Sequence, residues 1–354
     1  MPKPSSKTTK KEPGSLHNHI SVSPVIIIGL ILAIAGVILI MMYVYLQNRN
    51  VINQQEVVPE VLEQVKDDPF RLENKYMTVD MAELKQACPY IDCIPSIDRP
   101  IFETAEESNE WLTDDEIIFG LERNGVVRAY PQKILNWHEI VNDSLGSDPI
   151  AITFCPLCGT ALAYERIVNG DEVEFGVTGK LYNSVLVMYD RTEENYWSQL
   201  TGQAIAGPAA QRMDEITQIE LATTTWGEWK SEHPESEVLS KETGYTRTYD
   251  IYPYDDYESS SDIWFSVMNR DERLHPKHIV YGVKIGEETK AYPIESFDSV
   301  SEITDTIGGI EYTLIREEDG HILATSASGQ EIMPIRVFWF AWAAFYPETG
   351  IYQQ

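Results

Sequence analysis

The sequence predicts an α+β protein in which one N-terminal transmembrane helix precedes a sheet-rich extracytoplasmic domain. Three observations predict this class. An uncharged apolar run occupies residues 24–46, Asn-Gly turns separate runs with strand character, and two stretches of the chain resemble each other. We therefore expect the domain to consist of two degenerate β-hairpin/helix/strand repeats.

The first element is the apolar run at residues 24–46, which as a helix would span about 33 Å, enough to cross a bilayer. It is too long for a cleaved signal peptide and no small-residue cleavage site follows it, which favours an uncleaved anchor. Four lysines precede the run while Arg49 stands nearly alone behind it. The positive-inside rule then places the N-terminus in the cytoplasm and the domain outside.

These features predict four segments along the chain of 354 residues. They are a disordered cytoplasmic tail at 1–23, the transmembrane helix at 24–46, a juxtamembrane spacer at 47–87 and the domain at 88–354. The expected location is a single-pass membrane protein, with a membrane protein as a candidate partner.

The net charge of −29 excludes one class of partner, because a strongly acidic chain repels the nucleic-acid backbone. The sequence also lacks a glycine-rich phosphate-binding loop, so we expect no nucleotide cofactor. Apolar residues make up 43% of the chain, which indicates a globular domain with a substantial core.

An internal repeat organises the domain. Residues 118–135 (IFGLERNGVVRAYPQKIL) align without gaps on residues 280–297 (VYGVKIGEETKAYPIESF). A pair of tryptophans three residues apart follows in each copy. The repeat predicts two related halves, at about 115–245 and 277–354.

Each half begins with the same local pattern. In the first half, strands are expected at 117–123 and 126–130, on either side of the hairpin turn Asn124-Gly125. Pro131 suits the first turn of a helix, because its missing N–H needs no partner there. A further apolar strand is expected at 149–154, which completes the hairpin/helix/strand unit.

The four cysteines carry the candidate chemistry. The sequence CPLCG at 155–159 has the form of a metal knuckle, in which two thiolates two residues apart hold one ion. A redox-active dithiol and a structural disulfide are the alternatives for Cys155 and Cys158. A c-type haem is excluded because residue 159 is Gly rather than His. Cys88 and Cys93 are candidates for a local disulfide.

His138 is the candidate third metal ligand, because its helix leads into the strand that ends at Cys155. Sulfur and imidazole ligands together suit copper or zinc. A buried, hydrogen-bonded core histidine is the alternative. Tyr182, Asn183 and Trp197 are candidate pocket residues, since they combine polar groups with aromatic rings. The aromatic, acidic stretch 252–257 is interpreted as a surface loop.

Long motifs in this chain resemble one protein family. They include AYPQKILNWHEIVND at 129–143, ITFCPLCGTALAYER at 152–166 and FGVTGKLYNSVLVMYDR at 175–191. Over about residues 90–352 the chain resembles the prokaryotic family known as domain of unknown function 3179. The resemblance implies a secreted or membrane-anchored protein and no established activity. The family motif retains the following residues of this chain: His138, Cys155, Cys158, Tyr182, Asn183 and Trp197.

Three functions follow from these observations. The first hypothesis is an extracytoplasmic protein that binds copper or zinc through Cys155, Cys158 and His138. The second is a thiol–disulfide oxidoreductase that uses Cys155 and Cys158. The third is a non-catalytic surface or interaction module in which both cysteine pairs are structural disulfides.

Overall fold

The computed structural model describes residues 75–353, all of which lie within one compact unit. In this part of the chain, 41% of residues are in strands and 13% in helices, and the sheets have a five-bladed, propeller-like arrangement. The predicted α+β class is therefore wrong. The α-helices are only 4 to 7 residues long, so they connect strands and form no layer against a sheet.

The predicted transmembrane helix at 24–46 and the tail at 1–23 lie outside the described residues, as does the spacer up to residue 74. Among residues 75–353, none of the helices has the length and apolar character needed to span a membrane. The expected membrane location stays a prediction from the sequence.

The first twelve strands are β1 (Leu84–Gln86), β2 (Phe102–Thr104), β3 (Ile117–Arg123), β4 (Val126–Pro131), β5 (Ile140–Leu145), β6 (Asp148–Cys155), β7 (Thr160–Glu165), β8 (Ile167–Val168), β9 (Asp171–Glu172), β10 (Phe175–Tyr182), β11 (Val185–Asp190) and β12 (Tyr196–Ser198). The others are β13 (Ala204–Ala206), β14 (Gln218–Ile219), β15 (Ala222–Thr225), β16 (Glu237–Leu239), β17 (Ile279–Ile285), β18 (Glu288–Pro293), β19 (Glu302–Ile307), β20 (Ile310–Arg316), β21 (Ile322–Ser326), β22 (Glu331–Ile332), β23 (Ile335–Phe338) and β24 (Gly350–Ile351). The α-helices are α1 (Ala105–Ser108), α2 (Gln132–His138), α3 (Pro208–Arg212), α4 (Trp226–Glu232) and α5 (Trp339–Phe345), and Met81–Glu83 and Ile294–Phe297 form 3₁₀ helices.

Within residues 75–353 these strands form five sheets of four or five strands and one two-stranded ribbon. The sheet orders are β15-β3-β4-β16-β2, β14-β7-β6-β5, β1-β10-β11-β12-β13, β23-β17-β18-β24 and β19-β20-β21-β22, with β8-β9 as the ribbon. The hairpin predicted around Asn124-Gly125 is confirmed as β3 and β4. The predicted strand at 149–154 forms most of β6.

Two pairs of sheets have matching topology. β15-β3-β4-β16 corresponds to β23-β17-β18-β24, with an antiparallel neighbour at β3 or β17 and a parallel one at β4 or β18. The sheet β14-β7-β6-β5 likewise corresponds, strand by strand, to the sheet β22-β21-β20-β19. The repeated unit is therefore two sheets, and the predicted hairpin/helix/strand unit is wrong. In the later copy, the helix predicted after the hairpin is the 3₁₀ turn at Ile294–Phe297.

A close glycine–tryptophan contact recurs in the two matching sheets. A Cβ added to Gly120 would lie 2.5 Å from the Trp229 ring, and Gly282 faces Trp342 in the same way. Both tryptophans are buried at the helix that closes their sheet. Each tryptophan ring occupies the space above the strand where a side chain would lie. Only glycine at that strand position leaves this space open. A buried tyrosine–aspartate hydrogen bond also recurs, between Tyr130 and Asp143 and between Tyr292 and Asp305.

Replacing Gly120 with alanine tests this packing. We expect Gly120→Ala to lower the free energy of unfolding by about 1 to 3 kcal/mol, because the new methyl group overlaps a rigid, buried indole. Urea denaturation followed by tryptophan fluorescence measures the loss. Gly350→Ala is the matched control, since its Cβ would meet Lys290 Cγ at an ordinary 3.5 Å. Equal stability of the two variants would contradict the packing argument.

Candidate functional site

The two thiols lie on a tight turn between β6 and β7. Cys155 is the last residue of β6, and the carbonyl oxygen of Cys155 accepts hydrogen bonds from the N–H groups of Cys158 (3.2 Å) and Gly159 (2.9 Å). Gly159 has a φ of +62°, a left-handed conformation that glycine adopts without strain. Both cysteines are free thiols and are buried, with 2% exposure at Cys155 and 0% at Cys158.

The thiol turn packs against the second half of the domain. The Cys158 carbonyl accepts a hydrogen bond of 2.8 Å from the Phe338 N–H at the end of β23. A Cβ on Gly159 would lie 2.7 Å from the Phe338 ring. The turn is therefore held on both sides, by its own hairpin and by a strand that is distant in sequence.

Burial sets the ionisation of Cys158. Loss of hydration raises the pKa of this thiol well above its usual value, and its hydrogen bond and charge interaction with Cys155 raise it further. A charge on Glu139 acts in the same direction. Cys158 therefore remains protonated at neutral pH, with its thiol directed toward Cys155.

His138 is the last residue of α2, and both of its ring nitrogens form hydrogen bonds with oxygen atoms. Its Nδ1 lies 2.8 Å from the Pro95 carbonyl oxygen and its Nε2 lies 2.8 Å from the Tyr249 hydroxyl. A carbonyl can only accept, so Nδ1 carries the proton and Nε2 accepts from Tyr249. Burial lowers the pKa of His138 to about 4, so the ring is neutral at pH 7. Both nitrogens already have oxygen partners.

Glu139, the residue after His138, lies on the side of the thiols. It follows the last residue of α2 and has a φ of 59°. Its carbonyl oxygen accepts a 2.7 Å hydrogen bond from the N–H of Phe154, the residue before Cys155. The side chain is buried, and burial raises the pKa of its carboxyl to about 8. A carboxylic acid that titrates near neutral pH can both donate and accept a proton.

A long segment without helix or strand covers this region. It joins β16 to β17 over residues 240–278, and we call residues 249–265 the aromatic segment because they hold four tyrosines, a tryptophan and a phenylalanine. The Tyr254 hydroxyl lies 3.4 Å from Glu139 Oε1, and the Tyr257 hydroxyl donates to the Leu157 carbonyl at 3.0 Å. Tyr257 is fully buried, so the interpretation of 252–257 as a surface loop is wrong at this residue.

Lys277 holds the aromatic segment in place. Its ammonium donates hydrogen bonds to the carbonyl oxygens of Tyr257 (3.2 Å), Ser260 (3.3 Å) and Asp262 (2.6 Å). The same ammonium lies 3.5 Å from the centre of the Tyr257 ring. Burial lowers the pKa of Lys277 to about 8, so most of the ammonium is charged at pH 7.

The three candidate pocket residues make separate contacts. Asn183 lies in the turn between β10 and β11, where its Oδ1 accepts from the Met268 N–H at 2.9 Å. Tyr182 packs its ring edge-on against Phe345. Trp197 is fully buried in β12 and donates to Asp190 Oδ2 at 2.9 Å. In these positions all three serve packing and turn geometry.

Cys88 and Cys93 form a disulfide in the segment before β2. Cys88 and Glu139 border the same cavity, together with Leu157 of the thiol turn. The structure thus places both cysteine pairs and the buried carboxyl in one region.

The described residues do not fit the expected three-ligand metal site. Among residues 75–353, no group of three or more His, Cys, Asp and Glu side chains is arranged to hold an ion. His138 lies close to the thiols in sequence order, but its nitrogens are taken by oxygen partners. The structure instead brings two free thiols and the buried carboxyl of Glu139 into one region.

Sequence reasoning missed Glu139, Tyr254 and Lys277. For Glu139 a signal was present, because an acidic residue directly before the apolar strand Ile140-Val141 is unusual for a buried strand start. Tyr254 reaches Glu139 from more than a hundred residues away in the chain, and Lys277 acts on the aromatic segment, so no local sequence pattern indicates either contact.

Comparison with known proteins gives one match. A family model described as "Protein of unknown function (DUF3179)" matches residues 91–349. No curated protein and no solved structure shows a significant match.

The buried carboxyl predicts a distinctive dependence of stability on pH. The pKa of Glu139 is about 8 in the folded chain, against 4.5 for an ordinary glutamate. The folded state therefore disfavours the ionised form, and stability is lost as the pH rises from about 4.5 to about 8. Glu139→Gln removes this loss, so its stability relative to wild type should rise by about 3 to 4 kcal/mol between pH 5 and pH 8.

Urea denaturation of the full-length chain at several pH values measures this difference. Glu165→Gln is the control, because Glu165 is a partly exposed carboxylate at the end of β7 that pairs with Arg123. A wild-type to Glu139→Gln difference that stays constant from pH 5 to pH 8 would show that Glu139 is not a buried, protonated acid.

Proposed function

This chain belongs to the DUF3179 family, and we propose that its domain carries out thiol–disulfide exchange at Cys155 and Cys158. The observation that carries the proposal is the burial of one carboxyl, Glu139, beside two free thiols that are two residues apart. Glu139 borders a cavity that is also lined by Leu157 of the thiol turn and by Tyr254 of the aromatic segment.

The two thiols have different roles in this proposal. The Cys158 thiol is directed toward Cys155, and burial keeps Cys158 protonated. Cys155 is therefore the attacking sulfur, and Cys158 resolves the intermediate.

The exchange conserves electrons and protons. The Cys155 thiolate attacks one sulfur of a substrate disulfide, forms a mixed disulfide and releases the other sulfur as a thiolate. Cys158 then transfers its proton to ionised Glu139 and attacks the Cys155 sulfur, which releases the second substrate thiolate. Two electrons pass from the cysteine pair to the substrate disulfide, and the reverse reaction uses protonated Glu139 as the proton donor.

The geometry supports this function better than metal binding. A copper or zinc centre at Cys155, Cys158 and His138 would require His138 to give up a hydrogen bond to Pro95 or Tyr249. The charge of Glu139 acts on the Cys158 thiol, and the Glu139 carboxyl has a raised pKa that suits proton transfer. The free state of Cys155 and Cys158 also distinguishes this proposal from a module with two structural disulfides.

The proposed setting is the oxidising side of a membrane. The apolar run at 24–46 would anchor the chain, and the Cys88–Cys93 disulfide is of the kind that persists outside the cytoplasm. A protein that carries a disulfide or a dithiol near the membrane is then the proposed partner.

A redox titration tests the function. We expect Cys155 and Cys158 of the full-length chain to pass together from dithiol to disulfide in glutathione buffers of graded ratio at pH 7. Acid quenching, alkylation and peptide mass spectrometry measure each pair separately. Glu139→Gln should slow oxidation at pH 8 by at least about tenfold, because the proton acceptor is lost.

Glu165→Gln is again the matched control and should react at the wild-type rate. A pair that stays fully reduced or fully oxidised across the whole range of buffers would overturn the proposed function. Equal rates in Glu139→Gln and wild type would remove Glu139 from the mechanism.

A further inference from the structure

The segment that carries the Cys88–Cys93 disulfide lies along β10. The N–H groups of Ala87 and Cys88 donate to the Gly179 carbonyl at 2.9 and 3.1 Å, and the Asp92 N–H donates to the Val177 carbonyl at 2.8 Å. Between these attachments residues 87–94 have no helix or strand. The disulfide therefore lies in an irregular stretch that is fixed at both ends.

One cavity of about 180 Å³ separates this segment from the thiol turn. Cys88, Ile94, Glu139, Leu157 and Tyr254 are among the residues that line it. Leu157 lies between the two free thiols in sequence, so the cavity borders both the disulfide and the thiol turn. Its lining is mainly apolar, which favours direct sulfur chemistry over solvent access.

The two cysteine pairs differ in access to solvent. Cys155 is 2% exposed and Cys158 is 0% exposed, whereas Cys88 and Cys93 are only half-buried. A partner protein can approach the outer pair directly. The inner pair is covered by the aromatic segment, so electrons need a route to it.

We propose that the Cys88–Cys93 disulfide and the Cys155/Cys158 dithiol exchange electrons through this cavity, so that the outer pair relays redox equivalents between a partner protein and the inner pair. The relay rests on the proposed function of Cys155 and Cys158 as a redox pair. Cys88, which borders the cavity, is the sulfur that the inner pair attacks.

The exchange is internally balanced. The Cys155 thiolate attacks the Cys88 sulfur, the Cys88–Cys93 bond breaks, and Cys93 leaves as a thiolate that takes up a proton. Cys158 gives its proton to Glu139 and attacks Cys155, and Cys88 then leaves as the second thiolate. One disulfide is lost and one is formed, so no outside oxidant or reductant takes part. Segment 87–94 must release its hydrogen bonds to the Gly179 and Val177 carbonyls and move into the cavity to bring the sulfurs to bonding distance.

Trapping the mixed disulfide tests the relay. In the full-length chain, the double substitution Cys93→Ser with Cys158→Ser leaves Cys88 and Cys155 as the only cysteines of the two pairs. After mild oxidation with glutathione disulfide, we expect a Cys88–Cys155 cross-link in peptide mass spectrometry. The matched control, Cys88→Ser with Cys158→Ser, leaves Cys93 and Cys155 and should yield about tenfold less cross-link.

The wild-type chain provides a second measurement that does not depend on the folding of the variants. Fully reduced protein receives one equivalent of glutathione disulfide, which is then removed. We expect the new disulfide first at Cys88–Cys93 and later in part at Cys155–Cys158, with the total unchanged.

The outcomes separate the two proposals. If Cys155 and Cys158 titrate as a redox pair, but no Cys88–Cys155 cross-link forms and the first disulfide does not redistribute, the relay is wrong and the proposed function stands. If Cys155 and Cys158 show no redox transition, both are wrong. Equal cross-linking of Cys88 and Cys93 to Cys155 would also overturn the assignment of Cys88.

Discussion

The burial of the Glu139 carboxyl beside the thiol turn is the constraint on which the rest of this site depends. Removing a carboxylate from water is costly, and the chain accepts this cost by holding the group largely protonated, with a pKa of about 8. The same loss of hydration keeps Cys158 protonated. Both groups therefore keep their protons at pH 7, and Glu139 is the first of the two to ionise as the pH rises.

Several distant parts of the chain create this dry space. Glu139 follows the last residue of α2, and its own left-handed backbone conformation directs it toward β6. His138 instead forms hydrogen bonds with Pro95 and Tyr249. The aromatic segment covers the turn, and Lys277 fixes that segment through three backbone carbonyls. Removing any of these contacts would admit water and move the pKa values of Glu139 and Cys158 back toward their ordinary values.

The internal repeat shows that the thiol turn belongs to one half of the domain. The thiol turn between β6 and β7 corresponds to the turn between β20 and β21, and each packs against the edge of the opposite half. The Cys158 carbonyl accepts from the Phe338 N–H, and the Asp319 carbonyl accepts from the Thr224 hydroxyl. The sheet β1-β10-β11-β12-β13 has no counterpart in the later half within residues 75–353. It supplies the wall on which the outer disulfide lies.

The sequence could indicate the local features of this fold but not their assembly. The Asn124-Gly125 hairpin and the strand leading to Cys155 follow from turn chemistry and apolar alternation. The α+β class is wrong because a proline and an apolar periodicity do not reveal that α2 ends after seven residues. The chain order of helix and strand made His138 the candidate ligand, yet the positive φ of Glu139 ends the helical path at the next residue. The cover by Tyr254 and Tyr257 depends on contacts between distant residues that no sequence window contains.

Infrared difference spectroscopy of the full-length chain, reduced against oxidised at Cys155 and Cys158, tests the central claim most directly. The account predicts a carboxylic-acid band at pH 7 that changes when the pair is oxidised and is lost on titration through about pH 8. This band should be absent in Glu139→Gln and present in Glu165→Gln. A difference spectrum without any carboxylic-acid signal from Glu139 would contradict the account.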